Sequence, residues 1–120
     1  MSGWIGVDLD GVLAHFVGVA VWDGGIGAPV PKMVERVKAW VEAGEDVRIF
    51  TARVATYDFD DGGDDDARSE PEQRKAIQAW CREHLGYELP ITCRKDYGMQ
   101  ILYDDRAVQV VVNTGELVGE

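Results

Sequence analysis

Residues 4–13 read WIGVDLDGVL. The apolar run through Trp4, Ile5 and Val7 breaks at Asp8, Leu9, Asp10 and Gly11. A strand over residues 4–8, apolar on both faces, belongs in a parallel sheet covered by helices. The two acids, with a glycine behind them, then mark the end of that strand. The rest of the chain shows whether other strands end the same way.

Beyond a glycine-rich stretch from Gly11 to Pro31, Met33, Val34, Val37, Trp40 and Val41 recur at helical spacing. Pro31 opens that helix and Gly44 stops it. Val47, Ile49 and Phe50 form a second strand ending in Thr51, Ala52 and Arg53. A loop centred on DFDDGGDDD (58–66) precedes a second helix, for which Ser69 and Glu72 read as a capping box. Pro71 is tolerated in its first turn, Ile77, Trp80, Cys81 and Leu85 line one face, and Gly86 ends it. Ile91–Cys93 is a weak strand, and Ile101–Tyr103 is a better one that ends at Asp104 and Asp105. A last strand is expected over Ala107–Val112, before the turn Asn113, Thr114, Gly115.

Strands alternating with helices predict an α/β fold with a parallel sheet and right-handed crossovers. In open sheets of this kind, ligands bind outside the carboxyl ends of the strands. Three strands end in reactive residues: Asp8 with Asp10, Thr51, and Asp104 with Asp105. The acids of the opening stretch therefore belong to the rim of the sheet.

At 120 residues and 13.3 kDa the chain reads as one domain, residues 1–120, with enough length for a core. A formal net charge of -10 at pH 7 repels polyanions and argues against general nucleic-acid binding. No apolar run reaches spanning length and no signal-peptide pattern opens the chain, so no membrane is expected. Cys81 and Cys93 form neither a metal spacing nor a disulfide framework, which implies reduced thiols and a cytoplasmic setting. Neither cysteine starts the C-x₅-R loop of a thiol phosphatase.

Clustered carboxylates repel, and in a low-dielectric crevice each drifts towards its neutral form. A hard divalent cation with oxygen ligands, such as Mg²⁺, removes the conflict. Thr51 offers a hydroxyl to a phosphoryl oxygen, and Lys95 brings a positive charge. Gly11 allows the sharp turn through which backbone amides approach the same oxygens. The set suits phosphoryl transfer, where charge neutralisation and positioning supply most of the acceleration.

DLDGVL, an apolar strand ending in Thr51, then Lys95, then an apolar strand ending in Asp104–Asp105, resembles the haloacid dehalogenase (HAD) superfamily. The order is most similar to its small, capless phosphatase-type members and spans nearly the whole chain. The resemblance implies a three-layer, Rossmann-like fold without a large cap domain. It implies a phosphomonoesterase in which Asp8 forms an aspartyl-phosphate and Asp10 protonates the leaving oxygen, later deprotonating the attacking water. It further implies Mg²⁺ held by the Asp8 side chain, the Asp10 carbonyl and an acid of the last pair, with Asp105 as ligand and Asp104 behind it. Thr51 would hold the phosphoryl group and Lys95 would steady its charge, with Arg94 as the alternative cation. Val12 stands where many members carry threonine.

A receiver-like phosphoacceptor uses the same residue types, but there the acidic pair ends the first strand and the phosphorylated Asp follows a middle strand. A catalytically silent binding module is the third reading. Trp40, Trp80 and Cys81 read as core by their helical spacing, His84 as a helix-surface residue, and Arg53 as a surface arginine or a substrate contact. His15 follows the rim turn and is a candidate to overhang the site. The run 58–66 fails the EF-hand spacing and reads as a solvated loop, and GGIG (24–27) lacks the strand and lysine of a phosphate loop. The stretches flanking Thr51 hold a helix and a strand each, so loops alone would cover the site. Six aspartates in 58–66 at its mouth favour a small phosphorylated metabolite or nucleotide over a nucleic-acid end.

Overall fold

The computed structural model describes residues 3–18, 25–55 and 70–119. They form β1 (Trp4–Asp8), α1 (Pro31–Glu42), β2 (Asp46–Phe50), α2 (Glu70–His84), β3 (Ile91–Thr92) and β4 (Met99–Tyr103), with a 3₁₀ turn at Ala52–Val54. The four strands pair in parallel in the order β3-β2-β1-β4. β1 is thus central, which is why its sequence is apolar on both faces.

Successive residues of β1 serve opposite faces of the sheet. Ile5 and Val7, with Val47 and Ile49 of β2, join Met33 and Val37 of α1 and Ile77, Trp80 and Cys81 of α2 in one core. Trp4 stands outside that cluster. Its ring stacks on Phe50 at 6.5 Å between centroids, and the Arg48 guanidinium lies 4.7 Å over it. Both helices therefore share one face, as two right-handed crossovers in the same direction require. The third layer implied by the resemblance is not found among the described residues. The connection from β3 to β4 spans only residues 93–98, too few for a crossover helix.

α1 begins at Pro31 without a side-chain cap, so its stability comes from packing, including Trp40 against Tyr103 at 4.9 Å. α2 carries Glu70 and Glu72 in its first turn and Arg82 and His84 in its last, matching the helix dipole. Arg74 donates to the Ile91 carbonyl at 2.9 Å and pins α2 to β3. Trp80 is buried as expected, and its Nε1 donates to the Gly27 carbonyl at 2.9 Å. Gly44 and Gly86 follow the two helices with φ of 87° and 92°.

Residues 107–112 do not form the expected strand. Beyond β4 the chain folds back on itself through a single bridge between Val110 and Leu117, with Asn113 at φ 65°. The valines have strand propensity but no neighbouring strand, and Val108, Val110 and Val112 are exposed. Ser69 of the expected capping box and the run 58–66 lie outside the described residues. No helix among the described residues is long and apolar enough to cross a membrane.

Candidate active site

Parallel pairing assembles the site. Val7 pairs with Tyr103 and Asp8 with Phe50, so Asp104 emerges beside Asp8 on one flank and Thr51 on the other. Carboxylate oxygens of Asp8, Asp104 and Asp105 all lie within 4.8 Å of one another. Burial raises the Asp8 carboxyl first, and the charge of Asp104 adds to it. The Leu9 N–H, 2.9 Å from Asp8 Oδ1, opposes the rise. Asp105 contributes further repulsion and a hydrogen bond, and the result is about 7. No basic side chain counters these acids at Asp8 among the described residues.

Such a cluster takes up protons or a cation at neutral pH. Its donors are all oxygen, the set a hard divalent ion prefers. The Asp10 carbonyl, beside the cluster in sequence, accepts no hydrogen bond among the described residues. These donors fit Mg²⁺. The backbone behind them coils tightly: the Leu9 carbonyl accepts from Leu13 at 3.0 Å and from Ala14 at 2.8 Å, and Gly11 turns at φ 90° against Asp105.

The Asp10 carboxylate, in contrast, is paired. Arg53 Nε lies 2.7 Å from Oδ2 and Nη2 lies 2.8 Å from Oδ1. The guanidinium also reaches the Gly25 carbonyl at 2.8 Å and Gln73 Oε1 at 3.3 Å, and the Arg53 side chain is only 4% exposed. Arg53 is not the surface arginine weighed for it. Its position two residues after the strand-ending Thr51 was the available signal, because a residue there faces the same rim as Asp10.

Thr51 is 2% exposed, and its hydroxyl oxygen accepts from the Arg53 N–H at 3.2 Å while keeping its own proton to donate. Lys95 does not join the group. It is exposed beside Asp96, whose Oδ1 accepts from Trp4 Nε1 at 2.8 Å, so the chain is already returning towards the start of β1. Arg94 is exposed too, its N–H donating to Thr92 Oγ1. β3, from which both depart, lies two strands away from Asp8, roughly 10 Å. His15 is exposed, with its N–H donating to the Ala28 carbonyl. His84 is half-buried, its ring 4.7 Å from that of Trp80. Gly25 and Gly27 turn carbonyls, not amides, towards their partners Arg53 and Trp80, the wrong polarity for cradling phosphate.

No family model matches the chain, and no curated protein matches its sequence. In three dimensions it is similar to a solved conserved protein of Bacteroides thetaiotaomicron, with a TM-score of 0.57 at 19% identity. The alignment covers 89% of this chain and 78% of that one. The likeness is one of fold.

Proposed function

We propose that the chain is a small HAD-like, Mg²⁺-dependent phosphohydrolase that cleaves a phosphomonoester through an aspartyl-phosphate on Asp8. The observation that carries this reading is the meeting of Asp8, Asp104 and Asp105 at the central strand's end with no basic partner among the described residues. Thr51 and Asp10 stand at the same rim. Bound Mg²⁺ would supply charge neutralisation for these carboxylates and for the phosphoryl oxygens. Asp8, Asp105 and the Asp10 carbonyl would hold it, with Asp104 behind.

With Asp10 protonated at the start of the cycle, the ionised Asp8 oxygen attacks phosphorus, the bond to the leaving oxygen breaks, and Asp10 delivers its proton to that oxygen. Water then attacks phosphorus, the bond to Asp8 breaks, and Asp10 takes the water's proton. Each Asp10 oxygen keeps a lone pair beside its Arg53 bond, so the carboxylate remains able to do this. Thr51 donates its hydroxyl proton to a phosphoryl oxygen. Lys95 is exposed and is not among the charges that act on Asp8, so it stays outside this scheme. A small phosphorylated metabolite or nucleotide remains the proposed substrate class, on the strength of the acidic surface. The unpaired thiols Cys81 and Cys93 support a reducing, cytoplasmic setting.

The test is phosphate release from a generic aryl phosphate with Mg²⁺, with EDTA and with Asp8→Asn. Turnover that EDTA and the substitution both abolish is expected. A clean wild-type protein with no Mg²⁺-dependent turnover across a broad metabolite panel overturns the reading, and a stable phosphoprotein without turnover favours a phosphoacceptor.

A further inference from the structure

Resting on the reaction proposed above, we infer that Arg53 is the positioning residue for Asp10: it aims the carboxylate that moves the proton. A nearly buried guanidinium is costly unless its donors are met. Here Nε and Nη2 grip the two oxygens of Asp10, Nη2 also reaches the Gly25 carbonyl, and Nη1 reaches Gln73 Oε1. Gln73 is itself buried in α2. Arg53 is therefore held by α2 and by the segment before α1 whether or not Asp10 is present. Asp10 has no comparable support among the described residues: it is half-buried on the tight coil after β1, and its carboxylate plane is set by the two-bond fork.

Thr51 completes the arrangement, because its hydroxyl oxygen holds the Arg53 N–H. The group proposed to hold the phosphoryl oxygen thus caps the short 3₁₀ turn that carries the group aiming the proton carrier.

A double-mutant cycle tests this. Arg53→Met should lower kcat by roughly 100-fold or more, the low end of what a placed proton carrier contributes. KM should stay within about threefold, and phosphoenzyme should accumulate on acid quench, as with Asp10→Asn. Arg53→Lys should recover part of the rate. Added to Asp10→Asn, Arg53→Met should cost almost nothing further, since Arg53 acts through Asp10. Losses that multiply in the double variant, or a loss carried by KM, overturn the inference while leaving the phosphohydrolase reading intact. Should Arg53→Met fail to fold, Arg53→Lys runs the same cycle. A wild-type protein with neither phosphate release nor phosphoenzyme defeats the underlying reading instead, and the inference falls with it.

Discussion

Gly11 and Asp105 meet so closely that a Cβ on the glycine would lie 2.6 Å from Oδ2 of the aspartate. The backbone there is at φ 90°, which side chains rarely adopt. Gly11→Ala should therefore cost about 1–3 kcal/mol of stability. It should also push Asp105 off its position and weaken Mg²⁺ binding roughly 10–100-fold. Thermal melts and calorimetric titration with Mg²⁺ measure the two effects separately.

Asp8 sets a pH dependence. Its folded value of about 7 lies above the ordinary 3.8, so the folded state holds this proton more tightly than the unfolded one. The stabilising contribution is complete below pH 3.8 and is lost as pH rises towards 7. Without divalent ions, Asp8→Asn should match the wild type in Tm near pH 4 and exceed it at pH 8. Mg²⁺ should raise the wild-type Tm at pH 8 and leave the variant nearly unmoved. Parallel Tm curves for the two proteins across the range would remove the electrostatic account of the triad.

The two late acids should fail differently. Asp105 shares a hydrogen bond with Asp8, whereas one Asp104 oxygen is taken by the Arg106 N–H at 2.8 Å. Asp105→Ala should therefore weaken Mg²⁺ more than Asp104→Ala. Both substitutions should bring the Asp8 carboxyl down, Asp104→Ala by removing a charge and Asp105→Ala by removing a charge and a hydrogen bond. Metal titration of both variants, with carboxyl titration of Asp8 by NMR, decides between them.

Stability away from the rim depends on the contact between the segment before α1 and its surroundings. A Cβ on Gly27 would overlap the His15 carbonyl oxygen, which is backbone and cannot rotate away. Gly27→Ala should destabilise by about 1–3 kcal/mol or more. Trp80→Phe keeps most of the packing but leaves the Gly27 carbonyl unpaired, a loss of about 1 kcal/mol. Urea unfolding of both variants gives the comparison.

Strand ends and helix faces were legible because their signals are local. Apolar runs of four or five residues, Pro31 at a helix start and Gly44 and Gly86 at helix ends mark β1, α1, β2 and α2 closely. Asp8 and Asp104 could be paired in advance because a parallel sheet brings strand ends together. The place of Arg53 two residues after Thr51 brings it to the rim, but nothing in a sequence distinguishes an arginine that faces water there from one that Asp10 and Gln73 enclose. Lys95 followed motif order, but its location depends on how the short connection after β3 crosses the sheet. Residues 107–112 have strand composition, and composition does not supply a neighbouring strand.

The strand order also has a consequence for how the chain reaches its native state. β1 is made first, yet its β4 neighbour comes from the far end of the chain, and closing so long a loop costs about 4 kcal/mol of chain entropy. A nascent chain can join β1, α1 and β2 early, but it cannot seat β4 until Tyr103 has left the ribosome. Seating β4 also drives Asp104 and Asp105 against Asp8, so the last zipping step works against like charge. Refolding in the absence of divalent ions should accordingly be faster at pH 5, where Asp8 can take up a proton as β4 seats, than at pH 8.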